Sequence, residues 1–215
     1  MANTFISKDG ERTFATHLGE AALLSAQDVT AEMLKGYGLL HIEGYLVQNH
    51  ELIESVARLA KEQGMKISID LASYNVVAGD LDFFCYLVEE YVDIVFANEE
   101  ESAAFTRGKQ PEEALHEIAA MCEVAVVKLG KRGSMAQCGD EVCKAEATPV
   151  NVVDTTAAGD FFAGGFLYAY SMGRDLQECL DTGGLLSSKV IQVLGTQVSE
   201  ETWEEIRKQL TIRKI

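Results

Sequence analysis

The run Val153-Asp154-Thr155-Thr156-Ala157-Ala158-Gly159-Asp160-Phe161-Phe162-Ala163-Gly164-Gly165 puts small residues directly ahead of an amphipathic helix. Backbone amides of residues 157 to 160 can then point outward at the positive end of that helix, where a phosphate group would fit. Asp160 falls on the first helical turn beside this anion site, and two readings account for it. As a general base it would take the proton of an attacking hydroxyl while the amides stabilise charge on a transferred phosphoryl group. As an ordinary first-turn residue it would only complement the helix dipole. Physics alone leaves both standing.

Two other segments follow apolar runs. Asn98-Glu99-Glu100-Glu101, taken alone, is a helix cap with an acidic, otherwise solvated first turn. Lys128-Leu129-Gly130-Lys131-Arg132-Gly133, taken alone, is a glycine-rich turn. It is not a Walker A loop, because Arg132 stands where Ser or Thr is required and position 125 is Ala rather than Gly. No G-x-G-x-x-G dinucleotide fingerprint follows a strand either. Cys85, Cys122, Cys138, Cys143 and Cys179 read as reduced thiols; the close pair Cys138 and Cys143 has no further Cys or His to complete a zinc site. His41 reads as a satisfied core or edge residue of a strand, and His17, His50 and His116 have no acidic or Cys neighbour in sequence that suggests metal chemistry.

From residue 36 onward short apolar runs alternate with longer amphipathic segments, the pattern of βα units around a mostly parallel sheet. The expected strands are Leu39 to Glu43, Lys66 to Asp70, Asp93 to Ala97 and Val124 to Lys128, with helices at about 50 to 63, 80 to 91 and 111 to 121. Gly133 to Gln137 and Glu141 to Ala145 flank Cys138-Gly139-Asp140 as a hairpin, so antiparallel strands should finish one edge. Beyond Asp154 helices are expected almost to the end, with Ser199-Glu200-Glu201-Thr202 opening a further capped helix.

The 215 residues, 47% of them apolar, suffice for one domain over residues 1–215, and the two prolines, Pro111 and Pro149, mark no linker. With 34 Asp and Glu against 18 Lys and Arg, a formal charge of -16 argues against nucleic acid or an anionic membrane as a partner. The N-terminus lacks a secretory pattern and no apolar stretch is long enough to span a bilayer, so a soluble, cytoplasmic protein is expected.

Asp154 to Asp160 resembles the signature of the PfkB carbohydrate-kinase family, D-T-x-G-A-G-D, with Ala157 in place of the first glycine. The resemblance implies a ribokinase-like layered α/β fold, with a mostly parallel central sheet flanked by helices and an antiparallel hairpin toward one edge. It implies ATP and Mg²⁺ as cofactors, Asp160 as catalytic base, and Ala157, Ala158, Gly159 and Asp160 as the anion hole. Asp154 and Thr156 fall where many members bind a monovalent cation, for which K⁺ is the candidate. Asn98 to Glu101 resembles the family's N-x-x-E element, with Glu101 acting on Mg²⁺ through water and Asn98 on the nucleotide. Lys128 to Gly133 resembles the nucleotide loop, which assigns Lys128, Gly130 and Gly133 to the nucleotide. Gly183-Gly184 followed by Leu185 to Gly195 resembles the helix that flanks the adenine; many members carry Asn at Gly184, and close helix packing is the alternative use of these glycines.

The acceptor implied is a small-molecule sugar or nucleoside. His41-Ile42-Glu43-Gly44-Tyr45-Leu46 and Asp93 to Glu100 look like the adenosine-kinase side of the family, with ribose-like sugars next. The resemblance runs from about Thr4 to Gln209 and corresponds to the middle and C-terminal portion of such a kinase. Relatives place a strand, a Gly-Gly substrate loop and a small β lid ahead of the segment Phe5 to Phe14. The chain is therefore expected to be a fragment or a half that needs a homo-oligomeric partner or a missing N-terminal portion. The rival expectation is a non-catalytic nucleotide-binding or interaction remnant of the kinase fold.

Overall fold

Two of the apolar runs, IVFAN and VAVVK, are nearly continuous, as strands buried on both faces must be, while KISID alternates polar and apolar residues yet is buried from Ile67 to Asp70. In the computed structural model, which describes residues 2–6, 12–17 and 19–212, they are β4 (Lys66–Asp70), β5 (Ile94–Asn98) and β6 (Val124–Lys128). Parallel to them on one side runs β3 (Leu39–Glu43); on the other, β7 (Ser134–Cys138) runs antiparallel to β6 and β8 (Glu141–Ala145) antiparallel to β7. The six form one sheet in the order β3-β4-β5-β6-β7-β8, so the mostly parallel sheet with an antiparallel edge is as expected. The β7–β8 turn is Gly139-Asp140, with Gly139 at φ +56°, a value a tight hairpin needs and glycine supplies freely.

Side chains alternate between two cores. Val95, Ala97, Ala125 and Val127 point into the larger one, under α2 (His50–Glu62), α3 (Tyr74–Gly79), α4 (Leu81–Glu90), α5 (Glu99–Phe105) and α6 (Pro111–Ala119). Ile94, Phe96, Val124 and Val126 point into the smaller one, under α7 (Ala158–Ser171) and α8 (Leu176–Val190). Within it Phe96 meets Phe166 edge-on with ring centroids 5.3 Å apart, a geometry worth about 1 kcal/mol beyond burial. Helix α2 shows how the sequence sets these layers. Asn49 caps it by accepting the Leu52 amide at 3.2 Å, Glu51 and Lys61 match the dipole, and Leu52, Ile53, Val56, Ala57 and Ala60 form its buried stripe. The chain also forms a short α1 (Ala31–Leu34) and ends on α9 (Glu200–Ile212), where the Ser199 hydroxyl accepts the Thr202 amide at 3.2 Å.

Several expectations are revised. β5 begins at Ile94, because the Asp93 carboxylate is engaged by the Ile67 amide at 2.7 Å and by Lys61 at 2.6 Å. Helix α3 was not expected, its six residues being too few for a 3.6-residue period to stand out, whereas α5 starts at the cap read at Asn98. Ahead of the periodic region, β1 (Ala2–Ile6) and β2 (Arg12–Thr16) pair antiparallel in a separate two-stranded sheet, while residues 7–11 of the Phe5 to Phe14 segment lie outside the described residues. His50 does have an acidic partner, Asp80, 30 residues away in sequence, and its ring stacks on Phe83. All five cysteines are free thiols, as expected. No helix among the described residues is long and apolar enough to cross a membrane.

Candidate active site

Parallel strands end on one rim of their sheet, and in such sheets ligands bind beyond the carboxyl ends. Here those ends carry Glu43 on β3, Asp70 on β4, Asn98 on β5 and Lys128 on β6. Register places Glu43 beside Asp70 and Asn98 beside Lys128. The first turn of α7 reaches the same rim: a Cβ built on Gly159 would stand 3.4 Å from Lys128 Nζ. Residues distant in sequence thus meet around the start of one helix.

The rim is charged; its Lys128–Asp70 pair is largely screened from solvent, whereas Asp160 and Glu43 keep part of their surface in solvent. Lys128 is ion-paired with Asp70, their side chains only 16% and 12% exposed, and Asp70 Oδ1 also accepts the Ala72 amide at 3.1 Å. Burial raises the pKa of Asp160 above its ordinary value, the Glu43 and Asp70 charges add to the rise, and Lys128 and His41 oppose it. Burial likewise raises Glu101 to about 6, with Lys128 opposing and Asp70 reinforcing. Glu101 is 4% exposed, which corrects the expectation that residues 99 to 101 form a solvated face. Its two carboxylate oxygens accept the Asn98 backbone amide and the Asn98 side-chain amide, each at 2.7 Å. Glu99, in turn, pairs with Arg132 and ties α5 to the 130–133 turn.

Helix α7 begins without a side-chain cap. Ala157 occupies the N-cap in the left-handed region at φ +60°, where a glycine would sit without steric cost. The Ala158 amide already donates to the Thr155 carbonyl at 3.2 Å, so within residues 157 to 160 the first-turn amides of Gly159 and Asp160 are the ones placed to meet an anion. Asp154 holds the preceding loop. Its Oδ1 accepts both the amide of Thr156 at 2.9 Å and its hydroxyl at 2.7 Å, and its Oδ2 accepts the Gly195 amide at 2.9 Å. The carboxylate clamps the 154–156 loop to the end of the α8 region; any bound cation would share oxygens already used by these donors.

Gly130, Gly133 and Gly184 line a separate cleft of about 540 Å³ beside Phe162 and Leu180, within the size range of small-molecule sites. Asn98 and Lys128 are not among its lining residues. Gly133 is demanded by packing: at φ +90° a Cβ would stand 1.9 Å from the Ala145 carbonyl oxygen. Gly130 and Gly184 face open space. Close helix packing accounts for Gly183, where a Cβ would come within 2.9 Å of the Phe162 carbonyl oxygen, whereas a Cβ on Gly184 would meet nothing.

Asp70 and Glu43 were missed as site residues by sequence reasoning, because an acidic residue ending a strand looks like any loop entry. Being the last residue of each of four parallel strands was the signal that could have found them. His41 is satisfied as expected, Nδ1 lying 2.8 Å from Ser68 Oγ, yet the tertiary fold also puts it within the field of Asp160. Among the described residues no three His, Cys, Asp or Glu side chains converge as a metal cage. Mg²⁺ does not need one, since it keeps waters and is held by one or two carboxylates with substrate phosphates. Glu101, held by both Asn98 donors, would be the carboxylate placed to order water on such an ion.

Residues 2–203 match the pfkB family carbohydrate kinase. A probable sugar kinase from Rhizobium etli CFN 42 superposes with a TM-score of 0.90 at 35% identity, over 97% of this chain and 64% of that one. An adenosine kinase from Sinorhizobium meliloti gives a TM-score of 0.90 at 32% identity, over 97% of this chain and 65% of its own. An uncharacterized sugar kinase of Archaeoglobus fulgidus is 25% identical over 205 residues, 91% of this chain and 78% of the relative. The chain therefore spans just under two thirds of the length of the two solved structures.

Proposed function

This chain belongs to the pfkB family of carbohydrate kinases, and we propose that it performs ATP-dependent phosphoryl transfer to a hydroxyl of a sugar or nucleoside. The observation that carries the proposal is the meeting of Asp160, the free amides of the α7 start and Lys128 at the carboxyl rim of the parallel sheet. Our reading puts adenosine first among acceptors, with ribose-like sugars next, and the likeness to an adenosine kinase supports that order.

In this reading the ionised Asp160 accepts the acceptor's hydroxyl proton as that oxygen bonds to the γ-phosphorus and the bond to the leaving ADP oxygen breaks. Charge on the transferred group is met by the Gly159 and Asp160 amides and by the Lys128 ammonium, whose low exposure strengthens its interaction. The adenine side of the nucleotide takes the cleft lined by Gly130, Gly133 and Gly184. Bound Mg²⁺ would neutralise phosphate charge, with Glu101 and Asn98 ordering its water, and K⁺ near Asp154 and Thr156 would support the loop that precedes the anion hole.

The test is ATP turnover by the purified chain with Mg²⁺ and K⁺, offering adenosine, ribose and fructose, with Asp160→Asn in parallel. Acceptor-dependent turnover that falls about 10²- to 10⁴-fold in the variant, with ATP binding kept, is the expected result. ATP binding without turnover for any acceptor would favour the non-catalytic nucleotide-binding remnant instead.

A further inference from the structure

Lys128 Nζ stands 3.4 Å from where a Cβ of Gly159 would lie at the start of α7, and it does not stand there by itself. A lysine carries four methylenes and loses side-chain entropy when its ammonium is held in one place. Holding it is worth that cost only if something fixes Nζ where it is useful. Asp70 is that partner: it ends the strand two positions across the sheet, its side chain is 12% exposed, and Oδ2 takes the lysine while Oδ1 is anchored by the Ala72 amide at 3.1 Å. The anchoring residue, Ala72, is itself held at φ +68°, so the turn after β4 is bent into the conformation that presents its amide to this carboxylate. One carboxylate thus spans a fixed backbone point and a mobile cation.

We propose that Asp70 is a positioning residue of the phosphoryl-transfer site: its carboxylate holds the Lys128 ammonium against Gly159, in line to receive a phosphate at the α7 amides. The inference rests on the kinase reading above. Asp70 acts through Lys128 and touches neither nucleotide nor acceptor. Its charge would by itself repel the phosphates, so its effect on the site depends on whether the lysine is present to neutralise it. With the lysine in place, losing Asp70 lets Nζ wander and damages the transition state more than the ground state. With the lysine gone, losing Asp70 removes an unpaired negative charge beside the phosphate.

That dependence is a double-mutant cycle. Affinity for ATP·Mg²⁺ by calorimetry and steady-state turnover are measured for the wild type, Asp70→Asn, Lys128→Met and the double variant, with thermal melts on each. Asp70→Ser, which keeps an uncharged acceptor for the Ala72 amide, substitutes should Asp70→Asn not fold. The expected result is a kcat about 10- to 100-fold lower in Asp70→Asn with ATP affinity unchanged or tighter, and an ATP affinity in the double variant that is tighter than in Lys128→Met. If the wild type binds ATP·Mg²⁺ without turnover, the cycle is read on affinity, and the gain from Asp70→Asn must be larger in the Lys128→Met background than in the wild-type one. Equal losses from Asp70→Asn in both backgrounds, or changes under about twofold in all readouts, would overturn the positioning role while leaving the kinase reading intact. A wild-type chain that binds no ATP·Mg²⁺ would overturn the kinase reading and this inference with it.

Discussion

Asn98 and Glu101 close a reciprocal ring at the start of α5: the Glu101 amide donates to Asn98 Oδ1 at 2.9 Å while the Asn98 amide donates to Glu101 Oε2 at 2.7 Å. The helix cap and the proposed metal-ordering pair are therefore the same two residues in one arrangement. The capping ring fixes the carboxylate in a buried place where it is costly to ionise, which is why burial leads the causes of its rise to about 6.

Glu101 links stability to pH in a direction opposite to an exposed ion pair. Its folded-state pKa of about 6 lies above the ordinary 4.5, so the fold favours the neutral form. The contribution is fully present below the ordinary value and is lost as pH rises through the folded one, about 2 kcal/mol in all. Glu101→Gln should reduce by that amount the difference in unfolding free energy between pH 4.5 and pH 7, as read from urea unfolding at both. Parallel pH curves for the two proteins would contradict the linkage.

Asp160 must be ionised to act as a base, so turnover should fall on the acid side as it protonates, with a midpoint above the ordinary 3.8. Glu43 contributes to that rise through its charge. Glu43→Gln should therefore move the acid limb of the kcat/KM profile to lower pH. An unmoved or higher limb would show that Glu43 does not bear on the base.

Gly183 and Gly184 are adjacent but should respond oppositely. Gly183→Ala drives a methyl into the Phe162 backbone and ring where α7 and α8 touch, and should destabilise by about 1–3 kcal/mol in chemical denaturation. Gly184→Asn enters open space in the cleft, should leave the melting temperature within a few degrees, and should tighten ATP binding by restoring a polar contact.

Ala157 holds a left-handed backbone that costs a non-glycine residue about 1 kcal/mol. Ala157→Gly should stabilise the chain by no more than about 0.5 kcal/mol after the extra chain entropy of glycine is counted, without loss of turnover. A destabilised variant would mean that the Ala157 methyl has packing value exceeding its strain.

The sheet and its long helices were legible because their information is local. β5 and β6 are nearly continuous apolar runs, α2 has a cap, a stripe and matched charges within 13 residues, and Gly139-Asp140 turns its hairpin by its own backbone preference. The signature around Asp160, which carried the resemblance and with it the proposed base and anion loop, was equally local. The cap of α5 at Asn98 was legible too, whereas α3 escaped because six residues carry no readable period.

What the sequence by itself determined, then, is everything encoded within about a dozen neighbouring residues: strands, helices, caps and the glycine-rich motif. Only the tertiary structure decided that Asp70 meets Lys128 across 58 residues, that Glu101 is buried rather than solvated, and that Gly183 packs while Gly184 faces the cleft. Those outcomes depend on sheet register and on helix-to-helix distance, which arise when remote segments pack and have no trace in the order of residues around any one of them.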